Sequence, residues 1–148
     1  DRKKELLKTS GGKYVAPAPI ENRIKEDFLV EQLMVIGDNQ KFVSALILPS
    51  EEALKNWCLH KKMEWTTFAE MIRNEKVIRK YQKVIDSYNP EFGRIEQIKK
   101  FKLIATPWLP FHDDGSLAEL TPTLKLKRRV IREKYSKEIA AIYEEGTN

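Results

Sequence analysis

Phe28-Leu29-Val30-Glu31-Gln32-Leu33-Met34-Val35-Ile36 and Phe42-Val43-Ser44-Ala45-Leu46-Ile47-Leu48 are two apolar runs separated by Gly37-Asp38-Asn39-Gln40-Lys41, a cluster of turn formers. β-branched and aromatic side chains suit a pleated strand, while Gly, Asp and Asn suit a tight reversal, so the spacing predicts a β-hairpin. The second run is almost continuously apolar, as a strand must be when both of its faces are covered. Helices on at least one face are the expected cover. The fold class that follows is α+β, a small mixed domain with a β-hairpin and a short central sheet packed by helices.

Downstream, Pro49-Ser50-Glu51-Glu52 predicts a helix start, since the Ser50 hydroxyl can cap free backbone N–H groups and the acidic pair meets the positive end of the helix dipole. That helix should run to about His60. A shorter one is expected over Thr66 to Arg73. The clearest begins after Asn74, with Val77, Ile78, Tyr81, Val84, Ile85 and Tyr88 at helical spacing and Pro90 as its stop. Phe101, Leu103 and Ala105 then alternate with Lys100, Lys102 and Ile104 as in a further strand. Asp113-Asp114-Gly115-Ser116 and Thr121-Pro122-Thr123 are breaks, and a final helix from about Lys127 to Glu145 carries Ile131, Tyr135, Ile139 and Ile142 on one stripe. Gly146-Thr147-Asn148 has the composition of a frayed or linker end. Upstream, Lys4-Glu5-Leu6-Leu7-Lys8 should be extended and Gly11-Gly12 a turn, while Ile20, Ile24 and Phe28 predict a short amphipathic helix across Glu21 to Asp27.

At 148 residues and 41% hydrophobic content the chain suits one ordinary domain with a real core. No stretch approaches the roughly 18 to 20 apolar residues of a membrane span. Cys58 is the only cysteine, which excludes an internal disulfide and, with only His60 and His112 beside it, a zinc-ligand cluster. No metal site is expected, and a reducing cytoplasm fits best. The net charge of +5 is mild for a nucleic-acid binder, but its surplus gathers in Arg2-Lys3-Lys4 and in Lys125-Leu126-Lys127-Arg128-Arg129, as suits a phosphate-bearing ligand.

The usual nucleophile sets are missing, including any Gly-x-Ser-x-Gly, so hydrolase chemistry is not expected. Asp113 and Asp114 sit in a glycine turn and suit a solvated loop better than an acid and base pair. Gly11 and Gly12 lack the Lys-Ser or Lys-Thr ending of a P-loop. Trp57, Trp65 and Trp108 are assigned to packing rather than base stacking.

The two ends carry the functional signal. Asp1-Arg2-Lys3-Lys4-Glu5-Leu6-Leu7-Lys8-Thr9-Ser10-Gly11-Gly12-Lys13-Tyr14-Val15-Ala16-Pro17-Ala18-Pro19-Ile20-Glu21 resembles the hinge motif of the superfamily of acyl-CoA synthetases, luciferases and peptide-synthetase adenylation domains, in its long-chain fatty acyl branch. Leu120-Thr121-Pro122-Thr123-Leu124-Lys125-Leu126-Lys127-Arg128-Arg129-Val130-Ile131-Arg132 resembles the last motif of the same family, which normally reads Gly-Lys-apolar-x-Arg-x-x-apolar. Leu124 stands where most relatives have glycine, so the register rests on Arg129 and Ile131, and Lys127 is the rival for Lys125. Pro19 replaces a common glutamate.

The resemblance implies that residues 1–148 are the C-terminal lid domain of an AMP-forming long-chain fatty acid CoA ligase, with the hinge at about residue 4 and the ATP- and acyl-binding N-terminal domain absent from this chain. It implies Lys125 as the catalytic lysine, Lys4 as the hinge residue and Arg2 as the nucleotide-binding arginine. Ser10, Gly11 and Gly12 would form the loop of the coenzyme A channel, with Gly12 lining the pantetheine tunnel. ATP, Mg2+ and coenzyme A are implied for the complete enzyme, with fatty acid as the other substrate and none of them held stably by this chain alone. The partner is the N-terminal domain of the same polypeptide. Peripheral membrane contact, at the inner face of a membrane, would run through that domain, and nucleic acid is not expected as a partner. The chain alone should be inactive. The competing classes are a basic nucleic-acid-binding module using Lys127-Arg128-Arg129, and a noncatalytic interaction module using the outer face of the Trp57 to Tyr88 helices. The length of the Trp57 to Trp108 region has no functional account at this level.

Overall fold

The computed structural model describes residues 5–145, so Arg2, Lys4 and the Gly146-Thr147-Asn148 end lie outside the described residues. Contacts group the chain into two compact units, Asp1–Ala105 and Thr106–Asn148. The described residues hold six α-helices and two small sheets, an α+β architecture as the hairpin and helix patterns predict.

In the first unit, β1 (Leu7–Lys8) pairs antiparallel with β2 (Tyr14–Val15). Then come α1 (Pro17–Ile24), β3 (Val30–Ile36), β4 (Val43–Pro49), α2 (Glu51–His60), α3 (Phe68–Met71), α4 (Glu75–Tyr88) and β5 (Ile98–Leu103). The predicted hairpin is β3 and β4, in the register Val35↔Ala45 and Leu33↔Ile47. Every residue of β4 is buried, because it is the middle strand of the order β3-β4-β5. β5 lies parallel to β4, and parallel neighbours cannot be joined by a tight turn. The long stretch from α2 to the short 3-10 turns Asn89–Glu91 and Arg94–Glu96 is the crossover that this pairing demands. That gives a structural reason for much of the chain between Trp57 and Trp108.

The core joins Leu33, Val35, Val43, Ala45 and Ile47 of the sheet to Ile20 and Ile24 of α1, Leu54 and Cys58 of α2, and Val77, Tyr81, Val84 and Ile85 of α4. Trp57 and Trp65 pack against it, half-buried, as predicted. Two buried polar groups are placed with their partners. Tyr81 donates its hydroxyl to the carbonyl of Leu29 at 2.7 Å, and the carboxylate of Glu21 accepts the Val35 N–H at 2.8 Å, satisfying a donor on the edge strand β3. Ser50 caps α2, accepting from the Ala53 N–H, and Asn74 caps α4 through the Lys76 N–H.

Three boundaries differ from expectation. α1 starts at Pro17 rather than Glu21, since proline in a first turn lacks only an N–H that would have no helical partner. α3 is confined to Phe68–Met71 behind a Thr67 cap, and β5 begins at Ile98, where the Asn89 side chain bonds both the N–H and the carbonyl of Ile98.

The second unit has α5 (Arg128–Lys134) and α6 (Ser136–Glu145) where one helix was expected. The break falls at Tyr135, whose backbone leaves helical values (φ −111, ψ 27). Its hydroxyl accepts from Trp108 Nε1 at 3.3 Å, and the two rings lie 6.2 Å apart. Trp108, Leu120, Ile131 and Ile142 are buried, so Trp108 is a packing residue as expected. No described helix is long and apolar enough to cross a membrane.

Candidate functional site

The two loops singled out from the sequence are both built as braced turns. Thr9 holds the first: its N–H donates to the carbonyl of Lys13 at 2.9 Å, its hydroxyl exchanges bonds with the Lys13 backbone, and its carbonyl accepts from Gly12 at 2.9 Å. Ser10 N–H donates to Gln40 and Lys8 N–H to the Asp38 carboxylate, so the loop is anchored on the β3–β4 turn. Gly12 has φ +83, which favours glycine on conformational grounds. Gly11 does not, and a Cβ there would meet nothing within 4 Å. Nothing within the described chain explains a glycine at 11.

Lys125 belongs to the second unit. Leu120 and Leu126 form an antiparallel bridge, and between them Leu124 N–H donates to the Thr121 carbonyl at 2.8 Å while Thr121 N–H donates to the Lys125 carbonyl at 2.8 Å. The Thr121 hydroxyl also accepts the Lys125 N–H at 3.0 Å. Leu124 sits at φ 67, in the left-handed region, and is exposed. The backbone at this position therefore has the form glycine adopts without strain. Lys125 and Lys127 are both exposed, Lys127 standing at the N-cap of α5, while Ile131 is buried and Arg129 is an exposed partner of Glu133.

Sequence reasoning missed the group that anchors this turn. Glu119 is buried to 1% exposure, and its carboxylate accepts from Lys134 Nζ at 2.7 Å and from the Leu109 N–H at 3.1 Å. His112 Nε2 lies 2.6 Å from Glu119 Oε1, the oxygen that also accepts the Leu109 N–H, while Lys134 holds Oε2. The backbone carbonyl of Glu119 accepts the Lys127 N–H at 2.8 Å, and Lys134 also donates to the carbonyl of Leu117. Burial pushes the Glu119 carboxyl up, but the hydrogen bonds from Lys134, His112 and Leu109 outweigh it and hold the group below the ordinary carboxylate range. No periodicity marks such a residue; its one sequence signal is a carboxylate shortly before a strongly basic run.

Asp114 serves its own turn, as expected, accepting from the Ser116 N–H and hydroxyl. Arg2 and Lys4 lie outside the described residues. Among the described residues no group of three or more His, Cys, Asp and Glu could hold a metal ion.

Comparisons with known proteins agree across the chain. The family described as AMP-binding enzyme C-terminal domain matches residues 4–147. The long-chain-fatty-acid–CoA ligase FadD15 of Mycobacterium tuberculosis is 34% identical over 96% of this chain and 23% of its own length. The human long-chain-fatty-acid–CoA ligase 6 is 32% identical over 97% of this chain and 20% of its own. Among solved structures, the A-PCP didomain of carboxylic acid reductase from Segniliparus rugosus, in complex with AMP, superposes with a TM-score of 0.71 at 22% identity, covering 98% of this chain and 18% of that one. The chain thus spans about a quarter or less of the curated relatives it matches. It belongs to the AMP-binding enzyme C-terminal domain family and resembles the members found in long-chain fatty acid CoA ligases.

Proposed function

We propose that residues 1–148 act as the mobile lid of an AMP-forming long-chain fatty acid CoA ligase, an acid-thiol ligase whose larger N-terminal domain supplies the ATP and acyl sites. In the first half-reaction a fatty carboxylate oxygen attacks the α-phosphorus of ATP, forming the acyl-adenylate and releasing pyrophosphate. In the second, the coenzyme A thiol attacks the acyl carbon and AMP leaves. The first half brings two anions together, and the ammonium of Lys125 offsets their repulsion as charge builds in the transition state. Lysine suits this because it is a compact charge on a long flexible stem.

The observation that carries the reading is the braced turn before Lys125, with a left-handed residue at 124, the position at which the resembled motif normally has glycine although long-chain enzymes often read Thr-Pro-Thr-x-Lys. That conformation supports the motif register that selects Lys125 over Lys127. After adenylation the lid rotates about Lys4, withdrawing Lys125 and bringing the Ser10-Gly11-Gly12 loop to the thiol channel. The open space before Gly11 supports this role, since a ligand passing close to the backbone is what a glycine there would serve. Arg2 approaches the nucleotide. Mg2+ belongs with the ATP phosphates on the N-terminal domain. The chain alone makes no acyl-CoA. The enzyme works in the cytoplasm, and any contact with a membrane surface is made by the N-terminal domain.

In the complete enzyme, Lys125→Ala lowers adenylation by about 10² to 10³-fold, while thioester formation from supplied acyl-adenylate persists. Lys127→Ala spares both. Equal loss of both half-reactions in Lys125→Ala, or the larger adenylation loss in Lys127→Ala, would overturn the assignment.

A further inference from the structure

A second feature, independent of the lysine turn, lies in the crossover of the first unit. A pocket of about 310 Å³ is lined by Lys61, Lys76, Arg79, Lys80 and Lys83 together with Trp57 and Met63. Its volume falls at the low end of the roughly 300 to 1,000 Å³ that small-molecule sites enclose. Lys76, Arg79, Lys80 and Lys83 recur at the spacing that places them on one face of α4, beside the buried stripe of Val77, Tyr81, Val84 and Ile85. Lys61, which follows α2, adds a fifth cation. Like charges three and four residues apart on a helix repel each other. Among the described residues none of the five makes an ion pair with a carboxylate. Glu75, one turn before Arg79, and Asp86, three residues after Lys83, pair with neither of them, and the five cationic residues line one half-open concavity.

We propose that this pocket binds a small soluble molecule carrying two or more phosphate groups, with Trp57 and Met63 against its uncharged part. Several cations around one concavity favour an anion of matching charge multiplicity, and Arg79 adds a planar fork suited to phosphate oxygens. Trp57 packs against the core, and the part of its indole left exposed gives the pocket an apolar wall for the uncharged part of the ligand. An anionic lipid headgroup shares the phosphate chemistry, but a concavity walled by Trp57 and Met63 suits a single soluble molecule better than the broad face of a bilayer. The assignment does not rest on the catalytic reading of Lys125.

The test titrates the chain with ADP, with inorganic pyrophosphate, and with vesicles of phosphatidylcholine and phosphatidylserine, following backbone amide resonances. ADP is expected to bind saturably, to shift the amides of residues 57–63 and 76–83, and to weaken as salt rises. Arg79→Glu with Lys83→Glu should weaken ADP and pyrophosphate by about tenfold or more, whereas the matched reversal Lys102→Glu with Lys137→Glu, neither lining the pocket, should not. Arg79→Gln with Lys83→Gln gives a milder variant, and circular dichroism checks that each one folds. Equal weakening in pocket and control variants, absence of saturable binding by both phosphates, or pocket-dependent binding to vesicles alone would overturn the proposal.

Discussion

Leu124 holds a backbone conformation that costs an L-residue about 1 to 2 kcal/mol, and it does so exposed, with no burial to offset the strain. Leu124→Gly should therefore raise the stability of the second unit by up to about 1 kcal/mol, the gain trimmed by the greater freedom of glycine in the unfolded chain. Slower amide exchange around Ile131 would register it; faster exchange would count against a strained turn. Glu119 makes the opposite kind of prediction. Its folded carboxyl titrates below its ordinary value of 4.5, so the unfolded chain binds a proton first as pH falls. The stability it contributes is present above that ordinary value and is lost as pH drops through the depressed one. Glu119→Gln should flatten the acid limb of the stability profile while lowering stability at neutral pH, since Lys134 then lacks its charged acceptor. An unchanged acid limb would show that the carboxylate is not held by these donors. Neither residue was legible as such in the sequence: the turn signal of Thr121-Pro122-Thr123 was clear, but the partners of Glu119 come from separate segments at His112 and Lys134.

Elements were legible in proportion to how much of their cause is local. The hairpin of β3 and β4 followed from apolar runs around a glycine turn, α2 from its Ser50 cap, and α4 from an unbroken apolar stripe between Asn74 and Pro90. The starts of α1 and α3 were missed although their causes, Pro17 and the Thr67 cap, are local, whereas the other misses depended on distant partners. The break between α5 and α6 coincides with the Tyr135 side chain meeting Trp108, and the start of β5 is fixed by the Asn89 side chain. The edge of the sheet is a further case, because Glu21 on α1 carries the carboxylate that accepts the Val35 N–H on β3. Glu21→Ala leaves that buried donor without an acceptor, at an expected cost of about 1 to 3 kcal/mol. Urea unfolding of the chain measures it, and a loss below a few tenths of a kcal/mol would mean that water or a rearranged strand edge takes over the bond.

For the whole molecule, the sequence motifs at the two ends and the family match over residues 4–147 point the same way, yet the chain is about a quarter or less of its curated relatives. The lid account assigns its two loops to different halves of one reaction, Lys125 to adenylation and the Ser10-Gly11-Gly12 loop to thioester formation. Gly11 is the cleaner probe of the second loop, since it lacks the positive φ of Gly12 and a Cβ there meets nothing within 4 Å, so folding should survive the change. The most direct measurement is the rate of each half-reaction, assayed separately in the complete enzyme, for Lys125→Ala beside Gly11→Val. A lid that serves the two steps in turn gives a crossed pattern, with adenylation lost in the first and retained in the second, and thioester formation retained in the first and lost in the second. Parallel losses in both half-reactions for both variants would contradict a lid that serves them in turn.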